Sequence, residues 1–547
     1  MASHFFSGGN LETLLQDWAR AYGPFVEWQV PGGPPVLVVT DPDAIREVYE
    51  IQQLPKSPRY MDLLPLLGAQ SMVLTEGAVW KGQRDAFNPG FASAFLREAV
   101  PQFVDCTQHL VDCLEAAADE AEAAAAAATA EGRPPEAAAG AQAGVVMMHQ
   151  LAILLTLEVI LKVGFGEEAL FLGEAGLTHP LYAAFSNLGR HVTHFLDNPS
   201  INWTKNLPWN KAKTERLNRE YTALIMEILH RRLKAMGVDA AALGGSNSAT
   251  TSTSGTPTSS GSPSPGGGCP MHAAVEAAAP AGCPAHAGEG HDEQRGGSSR
   301  GASPSGTGGG RTILDIAVQY SAGQGGGTID VGTLRDQLMT FFAAGHDTTA
   351  ALVAWTVNYL CQNPEAERKL AEEVASVLGP PPRADAGGAA AAAVRPSWQQ
   401  LNEMRYMTCV LKETLRLRPP VGLLARWGPE GSSLRGYDTS GKVLVVGPYL
   451  QHTDPAAWGP DADQWRPERW EDPAGAAEGV HPYSYMPFSR GPRDCIGARF
   501  AMLEAKTILA MVYGRFKLEY AGRGPEEMLV SVTVHPKGGV PVRVTRR

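Results

Sequence analysis

The chain has 547 residues, 44% of them hydrophobic and 19% charged, with a formal net charge of −11. Such a composition suits a globular protein with a sizeable core, and the acidic balance excludes general nucleic-acid binding, which needs a basic footprint. Seven cysteines at irregular spacing give no disulfide framework and point to an intracellular, reducing compartment.

The N-terminus moves straight into an amphipathic helix pattern over 10–22 and reads as neither a signal peptide nor a transit sequence. Further helices are predicted over 42–52, 78–88, 101–114, 146–163, 211–236, 331–362, 364–378, 398–418 and 497–513. Short strands are expected at 25–30, 35–40 and 442–446. The alternating C-terminal stretch, with Lys537-Gly538-Gly539 at its turn, reads as a hairpin. No run of about 18 apolar residues marks a membrane span. The expected fold is mainly α (α+β), a large helical domain with a small segregated sheet region. Three low-complexity segments interrupt it: 115–144 (Ala/Glu-rich), 237–310 (Gly/Ser/Pro-rich) and 379–396 (Pro/Ala/Gly-rich). The second and third carry too few large apolar residues to offset ordering entropy and read as disordered insertions. The first could extend a helix up to Pro134 and Pro135. Loop closure costs only about 0.6 kcal/mol per doubling of length, so residues 1–547 are expected to form one catalytic domain rather than several.

One thiol stands out. Cys495 sits in FSRGPRDCIGARF, far in sequence from any partner for a disulfide or a zinc site. Gly491 and Gly497 permit a tight loop and close backbone approach to something flat. Amide N–H groups there, with Arg493, could stabilise a thiolate, while Phe488 packs beneath. A buried small hydrophobe is the competing reading of a lone cysteine.

The spacing of Phe488, Gly491, Arg493, Cys495 and Gly497 resembles the haem-ligand loop of the cytochrome P450 family of haem-thiolate monooxygenases. Four other stretches resemble that family in its own order: WKGQR (Trp80 to Arg84), AAGHDTT (343–349), ETLR (Glu413 to Arg416) and PERW (Pro467 to Trp470). The resemblance implies that haem b (iron protoporphyrin IX) is the cofactor and Cys495 the metal ligand. Phe488, Gly497 and Ala344 would pack against the haem. Trp80, Arg84, Arg426 and Arg493 would bind its propionates, with Trp80 and Arg84 four apart on one helix face. Asp347 and Thr348 would be the acid–alcohol pair that supplies protons for O–O cleavage, with Thr349 the less favoured hydroxyl. Glu413, Arg416 and Arg469 would form a buried structural triad behind the cysteine loop. His452, in LQHTDP, reads as polar filler in a turn and not as an iron ligand.

The reaction implied is insertion of one oxygen atom of O2 into a lipophilic small molecule, by hydroxylation or epoxidation. Phe341, Ala344 and Leu423 or Leu424 would line the substrate pocket. Electrons would come from an external donor, an NADPH–P450 reductase or a ferredoxin. A monomer is expected, with peripheral membrane contact through apolar loops such as residues 61–68. The cytosolic face of the endoplasmic reticulum and the plastid are the compartments to consider, and the Ala/Gly-rich insertions resemble those of GC-rich algal sequences. A haem-thiolate isomerase or peroxide user, and a non-catalytic haem-based gas sensor, are the alternatives. Two Cys-Pro-x-His-Ala repeats place Cys269, His272, Cys283 and His286 in the long insertion. They could hold zinc or capture haem, but the surroundings lack the apolar residues of a small metal domain, and drift of a biased segment is the preferred reading.

Overall fold

A computed structural model describes residues 11–29, 33–130, 143–172, 176–196, 202–243, 310–323, 329–380, 395–471, 479–530 and 532–547. The main helices are α1 (Leu11–Tyr22), α2 (Gly77–Phe87), α3 (Ser93–Ala130), α4 (Met148–Val159), α5 (Pro180–Leu196), α6 (Pro208–Ala235), α7 (Ile313–Gly323), α8 (Val331–Gln362), α9 (Pro364–Leu378), α10 (Trp398–Glu403), α11 (Arg405–Leu417) and α12 (Ala498–Tyr513). The helix α4 continues as a wider turn over Ile160–Phe165. The strands are β1 (Phe25–Gln29), β2 (Pro35–Val39), β3 (Val145–Met147), β4 (Leu424–Trp427), β5 (Ser433–Leu434), β6 (Tyr437–Asp438), β7 (Val443–Val446), β8 (Phe516–Tyr520), β9 (Met528–Val530), β10 (Val534–Pro536) and β11 (Pro541–Arg546). They form four small sheets, ordered β1-β2-β7-β4, β3-β11-β8, β9-β10 and β5-β6.

The axis of the core is α8. Asp330 caps it by accepting the Thr333 amide at 2.6 Å, and most of its side chains are buried, packed against α4, α6, α11 and α12. The stretch Met148–Phe165 is long and apolar enough to cross a membrane, but 78% of it is buried within the fold. Packing against α8 accounts for its apolarity.

Four local features differ from the sequence reading. The helix predicted from Pro101 begins at Ser93 and carries that proline inside it; a proline that reads as a start has been absorbed at the cost of one backbone bond. The helix predicted over 398–418 breaks at Met404, because Glu373 of α9 accepts the Tyr406 and Met407 amides at 2.7 and 2.8 Å and so caps α11 separately. Two helices were not foreseen, α5 and α7. The second carries a reciprocal start signal, Thr312 N–H to Asp315 Oδ2 at 2.9 Å and Asp315 N–H to Thr312 Oγ1 at 3.1 Å. The C-terminal hairpin does not form: β10 pairs with β9, whereas β11 pairs with β3 and β8. The glycine turn passes the chain from one sheet to another.

Of the Ala/Glu-rich segment, residues 115–130 continue α3, and Arg546 of β11 pairs with Glu115, Asp119 and Glu122 along it. Residues 131–142, 244–309 and 381–394 lie outside the described residues, and with them Cys269, His272, Cys283 and His286.

Candidate active site

The loop before α12 is shaped by its main chain. The Cys495 amide donates to the Phe488 carbonyl at 2.8 Å, and the Asp494 amide to Gly491 O at 3.1 Å. Ser489 and Gly491 take left-handed φ values of 61° and 81°. At Gly491 a side chain is excluded twice over, because a Cβ would stand 2.9 Å from the Tyr49 carbonyl oxygen.

Cys495 is exposed by surface area, yet desolvation is the largest influence on its thiol and pushes it up. A side chain with both properties faces an enclosed space. The Gly497 amide, donating to the sulfur, and the Arg84 guanidinium oppose that shift, and coordination to a metal would remove the proton outright. The helix α8 shows a matching gap. Ala344 is exposed in the middle of an otherwise buried helix, between buried Phe342 and His346. Thr348 donates to the Ala344 carbonyl at 2.9 Å, the back-bond that loosens a helix locally. Asp347 does not pair with Thr348: its carboxylate accepts from the Thr533 hydroxyl.

A cavity of about 360 Å³ adjoins the loop, lined among others by Tyr49, Lys56, Glu76, Trp80, Arg426 and Arg493. Arg493 stacks on the Trp80 ring at 4.1 Å, donates to Thr75 O at 3.0 Å and pairs with Glu76. Arg426 is buried, stacks on Tyr49 at 4.4 Å, and has no carboxylate partner among the described residues. Burial, with Arg493 and Arg426 adding to it, pushes Lys56 down to about 6, and burial takes Arg493 down to about 10. Glu76 is the one carboxylate in that lining and is taken by Arg493, which leaves Lys56 and Arg426 without one among the described residues. Arg84 is not in that lining. It turns under the loop and donates to Asp494 O at 2.6 Å and Asp494 Oδ1 at 2.8 Å.

Behind the loop, Glu413 is wholly buried and accepts from Arg416 Nε at 2.9 Å and Nη2 at 2.8 Å, Arg469 Nε at 3.3 Å and Trp470 Nε1 at 2.9 Å. Arg416 also donates to His452 O at 2.7 Å and Gln464 O at 2.9 Å. Asp461 completes the set by accepting from Arg469 Nη1 at 3.2 Å.

The family model described as Cytochrome P450 matches residues 2–236 and 302–541. The chain belongs to the cytochrome P450 family. Cytochrome P450 4V2 of Mus musculus is 35% identical over 240 residues, which is 43% of this chain and 43% of that protein. Cytochrome P450 monooxygenase sphH of Aspergillus fumigatus is 35% identical over 237 residues, 43% of this chain and 42% of its own. Protein LUTEIN DEFICIENT 5, chloroplastic, of Arabidopsis thaliana is 36% identical over 217 residues, 39% of this chain and 34% of its own. The aligned stretches thus span less than half the length of these relatives.

P450 proteins hold haem b through a cysteine thiolate, and the residues here fit that group. A thiol faces an enclosed space, and a buried arginine without a carboxylate lines a cationic cavity beside it, as two propionates require. One contributor, Lys56, was missed by sequence reasoning, and a second, His452, reads from the sequence as polar filler although both its ring nitrogens are bonded. Lys56 lies in a short loop whose only signal is a cation beside Pro55. His452 is a buried connector, accepting the Met486 amide at 2.8 Å through Nε2 and donating from Nδ1 to Arg416 O at 3.1 Å. It links α11 to the start of the cysteine loop.

Proposed function

We propose that the chain is a haem-thiolate monooxygenase that inserts one oxygen atom of O2 into a lipophilic small molecule. The observation that carries this reading is the Cys495 loop, closed by its own backbone, with left-handed Gly491 pressed against the Tyr49 carbonyl. When bound, the haem supplies O2 activation, assisted by electron donation from the thiolate. Cys495 would hold the iron, with Phe488 and Gly497 on the thiolate side and Ala344 leaving room opposite. Arg426, Arg493, Trp80 and Lys56 would hold the propionates. Arg84 would brace the loop through Asp494 and join them. Thr348 would hold a proton at its hydroxyl, and Asp347 would pass one inward. Glu413, Arg416 and Arg469 would fix the scaffold. Phe341, Ala344 and Leu423 or Leu424 would line the substrate space.

One catalytic domain carrying insertions is part of the proposal, supported by a family match that stops at 236 and resumes at 302. Electrons would come from a reductase or a ferredoxin, which reconstitution with each would tell apart. Peripheral membrane contact has a candidate patch: Met61, Trp203 and Trp209 are exposed, and Asp62 joins the two segments through Lys205 and Asn202.

The spectrum of the reduced protein under carbon monoxide tests the reading. A strongly red-shifted Soret band is expected, and Cys495→Ala should abolish it. An unchanged band in that variant would end the proposal. Product formed with NADPH and a reductase separates a monooxygenase from a gas sensor, which binds ligand and yields none.

A further inference from the structure

Three elements meet at the carboxylate of Asp347, and two of them bring histidines. Thr533, whose hydroxyl donates to Asp347 Oδ2, immediately precedes β10. His535 lies two residues further on and so shares its face of the strand. His149 sits in the first turn of α4, where its amide donates to Gly539 O at 3.0 Å. The two imidazoles stack, with centroids 5.3 Å apart and planes 19° from parallel. Nε2 of His149 and Nδ1 of His535 are both buried without a hydrogen-bond partner among the described residues. Buried ring nitrogens are seldom left so in a native fold, and ordered water is their usual partner.

We propose that His149 and His535 form a proton conduit to Asp347. The proposal rests on reading Asp347 as the acid that carries protons inward, and it assigns that acid a source. Burial, reinforced by His535, pushes His149 down to about 4, while Asp347 pulls it up. At neutral pH the ring is therefore uncharged, able to accept a proton on one nitrogen and release one from the other. The proton enters at half-buried His535, crosses to His149 through water held by the unpartnered nitrogens, and passes to the carboxylate. Each ring changes tautomer and resets by exchange with water, so the chain's charge is restored after each transfer.

The other groups facing this point have different tasks. His346 is buried and its Nδ1 is taken by the Phe342 carbonyl; burial pushes it down, against the pull of Asp347. Tyr182 of α5 meets the His346 ring edge-on at 6.3 Å. Burial and Asp347 push its phenol up, with Arg190 opposing, so it stays protonated.

The test uses the haem-loaded full chain and the variants His149→Gln, His535→Gln and Asp347→Asn. In the diamagnetic ferrous carbon monoxide form, labelled imidazole signals are followed against pH by NMR. Asp347→Asn should move the His149 midpoint downward, because its pull is gone; an unmoved midpoint would overturn the coupling. With NADPH and a reductase but no added substrate, the share of consumed O2 released as peroxide is then measured against pH in H2O and D2O. Both glutamine variants should keep the red-shifted band, raise the peroxide share, and show an altered pH profile and a larger solvent isotope effect. If both match the parent chain while Asp347→Asn raises the peroxide share, the conduit is refuted and the acid keeps its role. If Asp347→Asn also matches the parent, the reading of the acid itself fails.

Discussion

The backbone N–H of Met486 donates to Nε2 of His452 at 2.8 Å, so this imidazole sets where the cysteine loop begins. Its other nitrogen donates to Arg416 O, and acceptance at Nε2 requires the neutral ring. Burial pushes His452 down to about 3. In the unfolded chain it takes up a proton near pH 6.5. Between those values the unfolded state binds more protons, so this contribution is complete above about 6.5 and is lost as pH falls toward 3, at about 1.4 kcal/mol per unit. Urea midpoints of the parent and His452→Asn should differ most at pH 7 and converge toward pH 4. A gap that stays constant with pH would contradict this.

Glu413 holds two buried guanidinium groups at once. Removing its charge by Glu413→Gln keeps the shape and leaves buried Arg416 without a carboxylate, while Arg469 keeps Asp461; stranding that charge costs about 3–5 kcal/mol. Denaturant titration should register that loss. A change below about 1 kcal/mol would place the pair with ordinary surface ion pairs.

Gly491→Ala should weaken the loop. Its left-handed conformation costs an L-residue roughly 1–2 kcal/mol, and the added Cβ would press on Tyr49 O at 2.9 Å. Haem retained on heating should fall, whereas Gly82→Ala, with nothing within 4 Å of its new Cβ, should be neutral or slightly stabilising. Equal behaviour of the two variants would show that the loop has slack.

Arg426→Gln should loosen the cofactor without unfolding the chain. A charge-assisted bond is worth about 1.5–3 kcal/mol, so haem dissociation to an excess of apomyoglobin should become roughly ten- to a hundredfold more favourable. The same change should raise the Lys56 pKa, since Arg426 is one of the charges depressing it.

The long helices and the motifs on them were legible because periodicity and short spacings are local properties. The bounds of α8 and α9 agree with the sequence reading to the residue. What escaped depended on partners distant in sequence. The break at Met404 is imposed by Glu373, and the fate of the last strand by β3 and β8. The resemblance made Asp347 and Thr348 an acid–alcohol pair, and no local signal shows that the acid also accepts from Thr533, 186 residues away. Arg84 and Trp80 share a helix face but diverge, because Asp494 and Arg493 draw them to different places. His452 had no local signal at all: its importance arises from a depth in the fold that no turn sequence records.

The bond from the Cys495 amide to the Phe488 carbonyl is made between main-chain atoms, which no substitution short of proline removes. Descendants of this chain can therefore rewrite the walls of the pocket, and lengthen the alanine- and glycine-rich stretches elsewhere, while the sulfur keeps its station. Diversification in this lineage is free to run through the surroundings of the thiol, with Gly491 and the buried arginines as the positions that hold it still.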